Sequence, residues 1–275
     1  HRRMLFARTR QRLRKLKRYR QILSRLVFYG FSELGEALLP RRRIGKPTPR
    51  RLRRLGSGAR LRLLFEELGP TFIKLGQFLS LRSDLLPDEV TSELQLLQYG
   101  AAPLAFDHLE PVLIRELGPD WRGRFASFDP EPIASASIAQ VHRAVSRRGE
   151  QLALKIQRPG IEELIQADLA ILMDLALLLE RALPRLRSFR LVPLIDHFAR
   201  VLTLELDFQY EARTMELFRR NFRADRSLAI PAVHAELSTA RLLAMEYVEG
   251  VRLSDPEGYR QAGVDTRRIA AVGAR

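Results

Sequence analysis

One stretch, residues 132–156, constrains the fold of this chain more than any other. Apolar side chains recur along it at the spacing of two β-strands: Ile138, Val141, Val145, Leu152, Leu154 and Ile156. The polar run 146–150, which contains a glycine, separates the two sets. The pattern therefore predicts a β-hairpin, with alternate side chains on opposite faces of each strand.

Small residues precede this hairpin, and a single lysine lies near its end. The run Ala134, Ser135, Ala136 and Ser137 leaves room for the backbone to approach a ligand, and Lys155 stands among apolar neighbours in the second strand. A small-residue turn, a hairpin and a strand lysine together predict a phosphate-binding element. The alternative for Lys155 is an edge-strand lysine that protects the sheet from aggregation.

Lysine is rare in this chain, which makes each body lysine informative. Of the 47 Lys and Arg residues only five are lysine: Lys15, Lys17, Lys46, Lys74 and Lys155. The 26 basic residues after position 62 include only Lys74 and Lys155. Because the compact ammonium and the planar guanidinium are not interchangeable, both lysines are predicted to serve a chemical role.

Composition excludes several classes of site. The 275 residues, 46% of them hydrophobic, suffice for one large or two modest domains. The absence of cysteine excludes disulfides, thiolate metal sites and cysteine nucleophiles, and the five histidines show no zinc-ligand spacing. No residue of this chain is therefore predicted to be a metal ligand.

The net charge of +15 is confined to the N-terminal part. Residues 1–62 hold 21 basic and two acidic residues and so carry +19, which leaves −4 for the rest. Apolar residues at helical spacing over 13–27 predict an amphipathic helix for an anionic membrane surface or a partner protein, with a solvated arginine-rich arm as the alternative. Residues 41–62 are predicted to form a linker, and scattered aromatic residues do not favour nucleic-acid binding.

Helical patterns occupy much of the remaining chain. Residues 61–86 predict two helices broken at Gly69, and the second carries Lys74 and Gln77 on one face, where they could also be ordinary solvent-facing residues. Further helices are predicted over 161–183 and 192–222, and strands over 230–234 and 241–250. The most apolar window, 169–179, is interrupted by an aspartate and predicts a buried helix instead of a membrane span.

The helix predicted over 192–222 contains an acidic cluster of Glu205, Asp207 and Glu211. Two like charges at positions i and i+4, here Asp207 and Glu211, disfavour a helix unless a cation faces them. The cluster is therefore predicted to face a lysine, with a solvated acidic face as the alternative.

Two motifs resemble those of a known family. Lys74-Leu75-Gly76-Gln77, followed by Ser80, Arg82, Asp84 and Pro87, resembles the KxGQ signature of the UbiB family, atypical kinase-like proteins tied to coenzyme Q metabolism. The segment 133–144, IASASIAQVHRA, resembles that family's alanine-rich loop, which stands where protein kinases place a glycine-rich loop.

The resemblance implies a role for individual residues. Lys155 is expected to pair with ATP phosphates and with Glu211, while Glu205 and Asp207 form an ExD motif near Lys74 and Gln77. The six are the expected catalytic residues. The expected nucleotide-binding residues come from the loop, the hairpin and the hinge: Ala134, Ser135, Ala136, Ser137, Ile138, Val141, Lys155, Glu246, Tyr247 and Val248.

The resemblance also implies a fold class and a domain order. We expect an α+β protein, a protein-kinase-like small lobe with an antiparallel sheet, an added N-terminal helical extension and an inserted helix. The predicted parts are a basic helix and linker (1–62), a KxGQ extension (63–124) and the small lobe with its hinge (125–275). The large lobe, with the catalytic-loop and metal-binding aspartates, is expected beyond residue 275.

The function implied is that of an ATP-binding kinase-like phosphotransferase or ATPase supporting ubiquinone synthesis. ATP or ADP with Mg²⁺ is the expected cofactor of the full-length protein. The expected location is cytoplasmic, peripheral to the inner face of a bacterial cell membrane, with an anionic membrane surface or quinone-synthesis proteins as partners of the basic N-terminus. The alternative is a non-catalytic scaffold for quinone-synthesis enzymes. The alanine-rich loop and KxGQ motif argue against a conventional protein kinase.

Overall fold

A computed structural model describes residues 2–33, 48–98, 102–251 and 255–273. In these ranges the α-helices are α1 (Arg2–Phe28), α2 (Arg50–Arg53), α3 (Ser57–Leu68), α4 (Pro70–Ser80), α5 (Asp88–Gln95), α6 (Phe106–Leu117), α7 (Ile161–Ala182), α8 (Leu191–Leu206), α9 (Phe208–Asn221), α10 (Pro256–Gln261) and α11 (Thr266–Gly273). Short 3-10 helices cover Leu96–Gln98, Trp121–Arg124, Pro184–Phe189 and Ala235–Leu237. The strands are β1 (Phe125–Ser135), β2 (Ala139–Ser146), β3 (Gln151–Gln157) and β4 (Leu242–Glu246).

The four strands form one antiparallel sheet in the order β1-β2-β3-β4, so the predicted α+β class is confirmed. The predicted hairpin is β2 and β3. The Ser146 N–H donates to the Glu150 carbonyl at 2.9 Å, and Gly149 takes the positive φ of 85° that the tight turn requires. In the β3–β4 ladder, Lys155 lies opposite Leu243.

The buried face of β2 is polar, contrary to the apolar pattern used to predict the strand. Gln140 and His142 are fully buried, whereas Val141 and Val145 are half-buried. Each buried polar side chain has a backbone partner. The Gln140 amide accepts from the Leu104 N–H at 2.9 Å and donates to the Leu104 carbonyl at 3.1 Å. Hydrogen bonding therefore offsets the cost of burying these groups.

The chain divides into two compact units that interleave along the sequence. The helical unit comprises His1–Leu109, Ala134–Gln140 and Gln157–Leu206, and the second unit comprises Glu110–Ile133, Val141–Ile156 and Asp207–Arg275. We call the second the sheet unit, because it contains most of the strand residues. The three-part division made from the sequence stays a prediction.

Within the helical unit, α1 is held by a buried ion pair. Arg18 donates from Nε and Nη2 to the carboxylate of Asp168 at 2.7 and 2.8 Å, and from Nη2 to the Leu68 carbonyl at 2.6 Å. Asp168 is fully buried, as are the neighbouring apolar residues Ile22 and Leu23. Losing Arg18 would leave a buried carboxylate unpaired, so this contact is expected to be important for docking α1.

The predicted linker is partly wrong. Residues 41–47 lie outside the described residues, but 50–53 are helix α2 and 57–62 are the start of α3. Gly58 serves close packing between helices: a Cβ at this position would lie 2.9 Å from the Glu89 carbonyl oxygen. The glycine that suggested flexibility therefore marks a helix contact.

The helix predicted over 192–222 is two helices, α8 and α9, separated at Asp207. The Asp207 carboxylate caps α9 by accepting from the Gln209 N–H at 3.0 Å. The strand predicted over 230–234 is reduced to one bridge between Val233 and Met245. Pro231 has no N–H to donate, which limits regular pairing there.

Other predictions from helical periodicity are confirmed. Gly69, with a φ of +92°, separates α3 from α4, and α7 covers the helix predicted over 161–183. None of the described helices combines the length and apolarity needed to cross a membrane.

Candidate functional site

The strand lysine and its helix glutamate form an ion pair in the sheet unit. Lys155 Nζ donates to both carboxylate oxygens of Glu211, at 2.8 and 2.7 Å. The ammonium also lies 4.8 Å from the centre of the Phe208 ring, which is fully buried. The Phe208 N–H donates to the Ala240 carbonyl at 3.0 Å, so the start of α9 is fixed next to the lysine.

This arrangement suits an anionic ligand. The Lys155 side chain is 23% exposed and that of Glu211 is 37% exposed, so the pair is neither sealed nor fully solvated. An ammonium carries three N–H donors, and the contacts with Glu211 use at most two of them. The remaining donor can meet a phosphate oxygen, while the carboxylate and the ring hold the ammonium in place.

Asp207 does not stack on Glu211 along one helix, as the sequence predicted. It lies just before α9, and its carboxylate is occupied by the Gln209 N–H and by Arg213, 3.5 Å away. The like-charge repulsion expected between Asp207 and Glu211 is reduced by these partners. The contribution of Asp207 to an ExD motif stays a prediction.

A second lysine ion pair lies in the helical unit. Lys74 Nζ on α4 is 2.8 Å from the carboxylate of Glu205 on α8, and the two side chains are 22% and 40% exposed. Gln77, one turn further along α4, donates from Nε2 to the Leu97 carbonyl at 2.9 Å. The predicted contact between the KxGQ helix and Glu205 is therefore present, and Gln77 holds the adjoining 3-10 helix.

Gly76 of the KxGQ motif has a packing role that the sequence did not reveal. A Cβ at this position would lie 2.2 Å from Leu97 Cδ1 and 2.8 Å from Phe65 Cδ2. A larger residue would therefore push α4 away from α3 and from the 3-10 helix that Gln77 holds. A glycine inside an apolar helix is a usable signal of such close packing.

The alanine-rich segment spans the end of β1 and a bend. Ala134 and Ser135 are the last residues of β1, and the bend follows at Ala136. Ala134 and Ala136 are exposed, whereas Ser137 and Ile138 are buried. The Ala136 N–H donates to the Ala139 carbonyl at 2.8 Å, which closes the bend.

The predicted hinge follows β4 in the sheet unit. The Glu246 N–H donates to the Ala232 carbonyl at 2.8 Å, and the Tyr247 N–H donates to the Gln151 carbonyl at 2.9 Å. Sequence reasoning missed Arg143, whose guanidinium stacks 4.2 Å from the Tyr247 ring centre and lies 3.2 Å from the Glu249 carboxylate. Its position two residues after Val141 on β2 places it on the same strand face, which is a detectable signal.

The described residues contain no group of three histidine, aspartate or glutamate side chains arranged to hold a metal ion. We therefore assign no magnesium ligand to them. The structure shows the predicted pairs Lys155–Glu211 and Lys74–Glu205, and the roles of these residues in catalysis or nucleotide binding stay predictions.

Comparison with known proteins identifies the family. Residues 96–275 match the model of the ABC1 atypical kinase-like domain. The chain belongs to the ABC1 atypical kinase-like family. The family predicted from the KxGQ and alanine-rich motifs is thus confirmed.

Relatives of this ABC1 chain include bacterial proteins named probable protein kinase UbiB. The Pseudomonas aeruginosa protein is 38% identical over 225 residues, which are 82% of this chain and 42% of that protein. The Aeromonas hydrophila protein is 36% identical over 273 residues, 94% of this chain and 49% of that protein. The chain thus spans less than half the length of these curated relatives.

A solved structure of Mycobacterium tuberculosis Rv3197 in complex with erythromycin is also similar. It is 31% identical, covers 68% of this chain and 47% of its own, and superposes with a TM-score of 0.47.

Proposed function

We propose that this chain binds ATP or ADP as part of an atypical kinase-like protein that supports isoprenoid-quinone synthesis. The observation that carries the proposal is the Lys155–Glu211 pair. A half-buried ammonium, bonded to both oxygens of one carboxylate and resting on a buried ring, suits the binding of phosphate oxygens. The link to quinone synthesis rests on the resemblance to the UbiB family.

The hinge supports the same proposal for the base. Because the N–H groups of Glu246 and Tyr247 already donate within the protein, a nucleobase edge would meet their carbonyls and the backbone of Val248. Val141 and the loop residues 134–138 keep the binding roles that the resemblance implies. Magnesium would accompany the nucleotide, bound by its phosphate oxygens and by groups outside the described residues.

The reaction of the whole protein is proposed to be ATP hydrolysis or phosphoryl transfer. This chain would supply positioning and charge stabilisation through Lys155 and Glu211, which are the protein's main contributions to such chemistry. The name probable protein kinase UbiB, carried by the relatives, agrees with that class of reaction.

Isothermal titration of the full-length protein with MgATP tests the proposal. Lys155→Met should raise the dissociation constant by about tenfold or more, since one charge-assisted hydrogen bond and its electrostatic contribution are lost. Lys15→Met is the matched control, because it removes a lysine that pairs with Asp174 at 3.0 Å in α1. Equal affinity of the wild type and Lys155→Met would contradict the proposed site. Lack of ATP binding by the wild type would favour the scaffold alternative.

We further propose a membrane-surface location for the basic N-terminus. Lys15, Arg18 and Arg25 pair with carboxylates of the helical unit, so the outward-facing Lys17 and Arg20 are the better candidates for lipid contact. Co-sedimentation should require phosphatidylglycerol in phosphatidylcholine vesicles and weaken with salt, as each basic residue near the surface contributes about 1 kcal/mol. Equal binding to neutral vesicles in high salt would contradict it.

A further inference from the structure

The alanine-rich bend of the helical unit is held by an arginine that the sequence analysis did not single out. Arg158 Nε donates to the Ala136 carbonyl at 2.9 Å, and its Nη2 donates to the Ser135 hydroxyl at 2.8 Å. The same Nη2 donates to the Ala102 carbonyl at 2.7 Å. One guanidinium thus connects two consecutive residues of the bend to a separate segment of the chain.

The backbone of Arg158 is fixed as firmly as its side chain. Its N–H donates to the Ile138 carbonyl at 2.9 Å, so the bend is contacted on both sides. The preceding Gln157 is buried and donates to the Leu206 carbonyl at 2.9 Å. The following Pro159 and the left-handed Gly160, with a φ of +71°, lead directly into α7. The guanidinium therefore projects from a rigid junction.

The acceptors of Arg158 are all neutral. Two are backbone carbonyls and one is a serine hydroxyl, and in the part of the chain that the structure describes no carboxylate pairs with this guanidinium. Burial lowers the pKa of Arg158, but from an ordinary value of 12.5, so the group remains charged at neutral pH. A positive charge without a local counterion lies beside the bend and favours an anionic ligand there.

We propose that Arg158 is the positioning residue of the alanine-rich bend: it holds the Ser135 and Ala136 backbone in one conformation and adds a positive charge beside it. The inference rests on the proposed function, in that the anion is taken to be the phosphate of a nucleotide. A bend held in its binding conformation loses less conformational entropy when a ligand binds.

Lysine and glutamine at position 158 separate the two contributions. Lysine keeps the charge but lacks the planar fork that reaches three acceptors, whereas glutamine lacks the charge as well. Both Arg158→Lys and Arg158→Gln should accelerate hydrogen exchange of the backbone amides of 134–139 by roughly tenfold in the absence of nucleotide. The MgATP dissociation constant should rise about tenfold for glutamine and less for lysine.

Chemical rescue distinguishes positioning from a general loss of structure. Added guanidinium, at a sub-denaturing concentration, should restore much of the MgATP affinity of Arg158→Ala in the full-length protein, and urea at the same concentration should not. Arg187→Ala is the matched control, since Arg187 also donates from Nε to one backbone carbonyl, that of Glu180, at 3.0 Å. This variant should show neither defect nor rescue.

The outcomes separate this inference from the proposed function. If the wild type does not bind MgATP, the proposed function fails, while the exchange comparison without nucleotide still tests the hold of Arg158 on the bend. Unchanged exchange over 134–139 in all three Arg158 variants would overturn the inference, as would wild-type exchange in Arg158→Lys. Faster exchange with unchanged MgATP affinity would overturn its link to the nucleotide.

Discussion

The two lysines that this arginine-rich chain retains after residue 62 form ion pairs of similar exposure but different construction. Lys155, on a strand, contacts both oxygens of Glu211 and rests on the buried Phe208 ring. Lys74, on a helix, lies 2.8 Å from one oxygen of Glu205. The first ammonium is fixed from two directions, whereas the second is fixed from one.

The difference concerns how much freedom each ammonium retains. Since side-chain ordering costs free energy, an ammonium already fixed by a carboxylate and a ring can bind an anion with little further loss. The Lys74 pair has the features of a half-exposed helix contact, whose expected worth is under about 1 kcal/mol. We therefore assign the larger part in nucleotide binding to Lys155.

Removing the ring beneath Lys155 should have the largest effect on stability. Phe208 is fully buried, so Phe208→Ala is expected to lower the free energy of unfolding by about 3–5 kcal/mol. Phe208→Leu keeps most of the volume and should cost under about 1.5 kcal/mol while removing the contact with the ammonium. Urea unfolding measures both costs. A loss below 1 kcal/mol for Phe208→Ala would show that the ring is not packed as described.

Lys74→Ala should cost less than about 1 kcal/mol in unfolding free energy, because its ion pair is half-exposed. We expect nucleotide affinity or selectivity to change, but by a smaller factor than in Lys155→Ala. Titrations of both variants with MgATP and MgADP make the comparison. A larger loss in Lys74→Ala than in Lys155→Ala would reverse our ranking of the two pairs.

Acid should weaken the sheet unit, which carries Lys155, through His142. This imidazole is fully buried, its ring is stacked on Phe128, and its Nδ1 lies 3.0 Å from the Asp129 carbonyl, which requires a proton on Nδ1. Burial lowers the pKa of His142 from 6.5. Below pH 6.5 the unfolded chain binds the proton first, so the free energy of unfolding falls as pH decreases toward the lower folded-state pKa.

His142→Gln provides the control for this small effect. Glutamine can donate to the Asp129 carbonyl but does not titrate, so the variant should lose less stability than the wild type between pH 7.5 and 5.5. Urea unfolding at both values measures the difference. The same loss in both proteins would mean that His142 does not contribute to the acid response.

Much of the fold follows from periodicity in the sequence. The β2–β3 hairpin, the break at Gly69 and helix α7 depend on local spacing and turn residues, and all were predicted. The break at Asp207 and the helices within 50–62 were not. The first depends on a side-chain cap and the second on packing of Gly58 against Glu89, and tertiary contacts of this kind leave little trace in hydrophobic spacing.

The candidate site was predictable where residue types were unusual. The rarity of lysine singled out Lys74 and Lys155, and the structure pairs each with a glutamate that the sequence analysis had named. Arg143 and Arg158 were missed, because arginine is common here and composition gives neither of them any distinction. Their roles depend on neighbours distant in sequence, such as Tyr247 and Ala102.

A double-mutant cycle on MgATP affinity tests the central claim, that Lys155 and Glu211 bind nucleotide as one unit. The dissociation constant would be measured for the wild-type full-length protein, Lys155→Met, Glu211→Gln and the double variant. If the carboxylate acts by placing the ammonium, Glu211→Gln should weaken binding on its own but add little once Lys155 is gone, giving a coupling energy of about 1 kcal/mol or more. Additive effects, within about 0.5 kcal/mol, would contradict the claim.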